Sequence, residues 1–184
     1  MSTATVAQPG TASALRRLYF VRFGFAIVWA VLVITMASTL SPLSRVLLVL
    51  YPLFDVAAAV VDARSSKATK PIPGLYVNMA ISLLAAIGLA IAASSGIPGV
   101  LRVWGAWAIV SGIIQLVVGA GRRKLGGQWP MIVSGAISVL AGASFIAQAG
   151  TSGASLSNVG GYAVLGGIFF GVSALRLGRA AKNN

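Results

Sequence analysis

This 184-residue chain is 58% hydrophobic and 9% charged, with a mean hydropathy of +0.93; soluble domains carry about 25% charge, so the composition excludes an ordinary aqueous globule and is that of a membrane protein. Fourteen Lys and Arg against two acidic residues give a net charge of +12, and Cys and His are both absent. That removes disulfides, thiolate nucleophiles, imidazole bases, zinc sites and His-ligated haem, and two carboxylates leave little for hydrolytic or metal chemistry, so no cofactor, no metal and no enzymatic activity are expected.

The chain opens on "MSTATVAQPGTASA", residues 1 to 14, a small and polar stretch that predicts a disordered leader unable to bury enough surface to fold. From Leu15 onward, apolar runs of about 20 residues, the length that crosses some 30 Å of hydrocarbon, alternate with short polar breaks. They predict six spans: Leu18 to Ala37, Leu43 to Val61, Leu75 to Ala93, Val100 to Ala120, Pro130 to Ala149 and Val159 to Leu177. Helices are required, because open strands would leave backbone groups unpaired in lipid and no barrel-like alternation is present. The first run is too long for a signal-peptide core and reads as a retained span. The expected fold is therefore an all-α membrane protein with a single six-helix domain over residues 15 to 177 and a short tail, residues 178 to 184.

Charge position fixes the expected orientation. Arg16, Arg17 and Arg22, then Arg64, Lys67 and Lys70, then Arg122, Arg123 and Lys124, and finally Arg176, Arg179 and Lys182 all fall at one set of helix ends; Arg45 and Arg102 alone fall at the other. By the positive-inside rule both termini face the cytoplasm of a bacterial inner membrane. The basic excess is then topological, with anionic lipid headgroups as its partner and no nucleic acid implied. Aromatic residues are expected at the interfaces: Tyr19, Tyr76 and Trp129 at the inner, and Trp104, Trp107 and Tyr162 at the outer.

A period of about 56 residues runs through the chain. "AISLLA" (80 to 85) matches "AISVLA" (136 to 141) at five of six positions, and the second helices align so that Tyr51, Trp107 and Tyr162 share a register, as do Asp55, Ser111 and Gly166. Each unit is an out-and-back hairpin, about 18 to 64, 75 to 122 and 130 to 177. Three copies in one orientation suit a pseudo-threefold axis along the membrane normal, unlike the inverted repeats of many transporters.

The stretch "WAIVSGIIQLVVGAGRRKLGGQWPMIVSGAISVLAGASFI", residues 107 to 146, resembles the HdeD-type acid-resistance membrane proteins, with their Gly-containing helix, short Arg-rich turn, aromatic residue and second helix of form "SGxxSxLAG". The resemblance implies a small six-helix inner-membrane protein associated with survival at low pH. It also implies an Asp in the second helix, which Asp55 matches, and it supplies no catalytic residues. The leader and the first helix, with Arg22 and Trp29, depart from the family pattern.

Asp55 is the residue that needs explaining. It lies about 12 Å inside its span, where an Asp costs about 2.5 to 3.5 kcal/mol to insert, against about 0.3 to 0.6 returned by each large apolar residue. Pro52 frees the Leu48 carbonyl and is expected to bend the helix there. Arg22, one turn inside the preceding helix, is the candidate partner. A carboxylate paired at that depth keeps its charge, whereas a bare one is driven toward its neutral form. The pair is either a structural tie within the first hairpin, a protonatable or cation-binding site, or a residue facing water.

Repeat register extends this to a candidate polar layer in the inner half, lined by Arg22, Asn78 and Ser134 on the first helices and Asp55, Ser111 and Gln115 on the second. Gly167 and Gly171 form a GxxxG pair, and Ser134, Ser138 and Gly142 recur every four residues, so these positions are expected to pack helices within the chain or across a homo-oligomer. Asp62 beside Arg64 reads as a surface pair. Two functions follow as expectations: a non-enzymatic structural or acid/envelope-stress protein, or a small proton- or cation-linked transporter or channel using Asp55.

Overall fold

Apolar helices close their own backbone hydrogen bonds, and the structure uses them throughout. The computed structural model describes residues 9–65, 73–121 and 129–180, which form six α-helices and no strand. These are α1 (Pro9–Thr35), α2 (Pro42–Ser65), α3 (Pro73–Ala92), α4 (Gly96–Gly121), α5 (Trp129–Gln148) and α6 (Ser157–Ala180). The first three open on a proline, whose fixed φ suits a first helical position where no amide hydrogen is needed. For α1 this moves the expected leader boundary: residues 9 to 14 are helical, and residues 1–8 lie outside the described part. The Ser41 hydroxyl accepts from the Ser44 amide at 3.1 Å and so caps α2. A single 3-10 turn, Ala93–Ser95, separates α3 from α4, and Gly96 follows at φ +79°, a backbone conformation that side-chain-bearing residues rarely adopt.

Four segments are long and apolar enough to cross a membrane: Ser13–Thr35, Pro42–Arg64, Tyr76–Val117 and Ser157–Arg176; the apolar part of α5, Ile132–Gln148, is shorter. Tyr76–Val117 is 42 residues long and takes in both α3 and α4. Val28, Leu84, Ile91, Val117 and Leu140 lie on the outside of the bundle. In water such a surface would drive association, but in hydrocarbon it is the surface that meets the solvent.

The closest packing is between sequence hairpins rather than within them: α4 lies most closely on α5, α1 on α6 and α2 on α3. Small residues permit it. A Cβ placed on Gly142 would lie 2.5 Å from the Gly105 carbonyl oxygen, and one on Gly112 would lie 2.6 Å from that of Gly135, so α4 and α5 touch backbone to backbone at two levels seven residues apart. On α6, Gly160, Gly167 and Gly171 meet Ile34, Ala26 and Phe23 of α1. The ends of this last pair are also tied by a hydrogen bond from the Leu156 amide to the Ala37 carbonyl, 3.0 Å.

The core holds the aromatic residues expected at the outer interface. Trp104 is fully buried and stacks on Trp29 with centroids 5.2 Å apart; Trp107 meets Trp104 edge-on at 5.3 Å, and Tyr51 closes the group. Tyr162 packs edge-on against Phe145. The interface expectation fails for Trp104, Trp107 and Tyr162 because depth along a helix does not say which way a ring faces, and rings that meet stacked or edge-on gain about 0.5–1.5 kcal/mol per pair beyond their burial. Tyr76 and Trp129 are exposed, whereas Tyr19 is half-buried.

Gly142→Ala forces backbone apart and is expected to destabilise by about 1–3 kcal/mol, seen as a lower thermal unfolding midpoint in detergent. Gly161→Ala, where an added Cβ meets nothing within 4 Å, should leave the midpoint unchanged or slightly raised. Equal midpoints for the two variants would rule out the close α4–α5 approach.

Candidate functional site

A carboxylate among apolar helices gathers whatever donors the surrounding backbone can present. Asp55 sits on α2 one turn past Pro52, and α2 runs through that proline without interruption. One turn earlier, the Trp29 indole N–H donates to the Leu47 carbonyl at 2.6 Å, in the stretch where Pro52 leaves the neighbouring Leu48 carbonyl without its usual helical donor. Trp29 thereby anchors α1 to α2 just above the acid.

Donors from two helices then converge on the carboxylate. Arg22 of α1 brings Nη1 to 3.2 Å from Oδ1, while Asn78 Nδ2 and Ser82 Oγ, both on α3, donate to Oδ2 at 2.7 and 2.8 Å. The side chains of Arg22 and Asp55 are 13% and 20% exposed, so the pair is largely removed from solvent. Behind it, the Arg22 guanidinium lies 4.8 Å over the Phe170 ring of α6, and Tyr19 packs on the same ring at 5.8 Å. A cation between a carboxylate and an aromatic face is held from two sides. Arg22 Nε is buried without a hydrogen-bond partner. Tyr51, one turn before Asp55 on α2, packs against Trp29 and Phe25 with centroids 4.6 and 5.6 Å away, which ties the site to the aromatic core.

Of the six residues expected to share a polar layer, the structure joins Arg22, Asp55 and Asn78. Ser134, Ser111 and Gln115 make no bond to Asp55 and belong elsewhere. The Ser134 carbonyl accepts from Ser138 Oγ at 2.9 Å, and Ser138 in turn shares a 2.8 Å hydrogen bond with the Tyr162 hydroxyl, a separate link between α5 and α6. Gln115 Oε1 is buried without a partner, and Ser111 lies half-buried on α4. A continuous layer fails because donors collect where there is charge, and Ser111 and Gly166, at the register of Asp55, carry none. Ser82 is the residue the sequence reading missed. Its signal was present: it follows Asn78 by four residues on an otherwise apolar helix, which puts both donors on one face.

The expected packing residues are all occupied by helices of the same chain. Gly142 faces Gly105, Ser138 faces Gly112, and Gly167 and Gly171 face Ala26 and Phe23. Asp62 is half-buried rather than free on the surface, while Arg45 and Arg102 are exposed.

Arg22→Met removes the cation and leaves Asp55 in place; the expected loss is about 3 kcal/mol, the lower end for a buried pair because the carboxylate keeps some exposure. Ser82→Ala, which deletes one hydrogen bond to a charged group, should cost about 1.5 kcal/mol. The double variant Arg22→Met, Asp55→Leu should recover most of the first loss. Unfolding curves in detergent measure all three, and an Arg22→Met protein as stable as its parent would deny the pair any structural weight.

No family model, curated protein or solved structure matches this chain, so the reading of the site rests on its own geometry.

Proposed function

We propose that the chain is a non-enzymatic integral protein of the bacterial inner membrane, of HdeD type, with a structural or acid/envelope-stress role. The observation that carries this reading is the engagement of its one deep carboxylate: Asp55 is met by Arg22, Asn78 and Ser82 from two neighbouring helices, so both of its oxygens are engaged by the protein itself. A transport site needs a carboxylate that can exchange its partner for an ion. Asp55 acts instead as a tie between α1, α2 and α3.

In this reading all six helices span the bilayer as three parallel hairpins, with both termini cytoplasmic and anionic lipids at the basic face. The packing supports the threefold repeat. The seams α2–α3, α4–α5 and α6–α1 are related by successive repeat steps, and Arg22 and Asn78, 56 residues apart in the sequence, reach the same carboxylate. The stress role rests on the resemblance of residues 107 to 146 to the HdeD pattern.

Purified protein in liposomes loaded with a pH-sensitive dye should give no proton or cation flux above that of empty liposomes. A flux abolished by Asp55→Asn would establish transport in its place. A strain lacking the gene should lose survival at low pH and regain it from a plasmid copy; unchanged survival would remove the stress role. Cysteines placed at residues 45 and 182 should label from opposite sides of the membrane, and labelling from one side would overturn the six-span topology.

A further inference from the structure

The seam between α1 and α6 closes the ring of helices, and one of its ends is basic. Neither helix contains an Asp or Glu, and both carboxylates of the chain belong to α2. The two helices run antiparallel in a constant register, with Ile34 against Gly160, Phe23 against Gly171 and Arg16 against Gly178. At the last of these levels the guanidinium lies directly on the glycine: a Cβ on Gly178 would come within 2.9 Å of Arg16 Nε and 3.0 Å of Cζ. The same guanidinium is 5.6 Å from the Phe20 ring centroid.

Arg17 and Arg179 flank this point. Arg17 heads a stripe that continues through Val21, Gly24 and Val28, and Arg179 heads one that continues through Leu175 and Val172, each at three- or four-residue spacing. All of these residues are exposed, Val21 to 50% and Leu175 to 52%. The opposite sides of the two helices bury Trp29 and Val33, and Val159 and Ala163, in the core. The two stripes therefore border the seam on its outer side, each with a guanidinium at the membrane edge and apolar side chains below it. Three guanidiniums above two apolar tracks match one molecule with a phosphate at one end and two acyl chains at the other.

We propose that the α1–α6 seam is a binding site for one anionic diacyl phospholipid, its phosphate held by Arg16, Arg17 and Arg179 and its chains lying along the two stripes. The proposal rests on the membrane reading above and deepens it from a diffuse basic face to a defined site. A lipid seated there bridges the first and last helices, so it holds the ring closed.

Native mass spectrometry of the full chain in detergent, titrated with dioleoyl phosphatidylglycerol or dioleoyl phosphatidylcholine, tests it. The first bound lipid is expected to prefer phosphatidylglycerol. The preference should fall about fivefold for each guanidinium lost in Arg16→Gln, Arg17→Gln and Arg179→Gln. Gly178→Val, which displaces Arg16 while leaving the net charge at +12, should also weaken it. Arg45→Gln with Arg102→Gln should leave it intact. Equal binding of the two lipids, equal losses in the Arg45 and Arg102 variant, or displacement of the lipid by millimolar inorganic phosphate would overturn the site. Failure of the underlying membrane reading looks different: the protein would stay in solution without detergent.

Discussion

The structure depends on one requirement, that a negative charge inside an apolar bundle must be met by the protein. Asp55 meets it with a cation from α1 and two neutral donors from α3, and those contacts fix how three helices stand relative to one another. Water cannot substitute at that depth without a cavity, so the donors have to arrive on neighbouring helices at matching levels. Arg22 and Asn78, 56 residues apart in the sequence, supply two of the three. Phe170 then backs the arginine from α6, and the influence of a single carboxylate reaches four of the six helices.

Around that fixed point the bundle is assembled by omission of side chains. Membrane helices gain nothing from hiding apolar surface from lipid, so the preference for one neighbour over another comes from how closely two backbones can approach. Gly105 and Gly112 on α4, facing Gly142 and Gly135 on α5, and the glycine line of α6 on α1 provide that approach. The tightest contacts consequently fall between hairpins, where small residues face small residues. The connecting turns only decide which helices are neighbours in sequence.

Much of this was legible in the residues, and the limits have a physical cause. Run length and polar breaks located the helices to within about four residues, except for the start of α1, which lies nine residues before the expected span, and the depth of Arg22 and Asp55 made them partners. Those are statements about height in a bilayer, which hydropathy records. Azimuth is different: in a helix that is apolar all round, lipid-facing and core-facing positions look alike, so Trp104 and Trp107 could not be told from interfacial residues. The same blindness made Ser111 and Gln115 look like neighbours of Asp55 when only their level agreed. Ser82 was concealed by its company, a serine inside an alanine- and leucine-rich run, although its four-residue offset from Asn78 marked the face. The heptad spacing of Gly105 with Gly112, and of Gly135 with Gly142, was likewise readable and points to the α4–α5 seam.

The stacked indoles have an optical consequence. Trp29, Trp104 and Trp107 sit in one group with centroids little more than 5 Å apart between successive rings, while Trp129 is exposed on the surface. Transition dipoles at such spacing couple, giving the folded chain an exciton circular dichroism couplet in the far ultraviolet that no isolated indole produces. Loosening of the aromatic group extinguishes that signal, whereas Trp129 continues to report the polarity of the surrounding lipid through its emission wavelength. The chain thus carries two native spectroscopic channels, one sensing internal order and one sensing the bilayer, with no label attached.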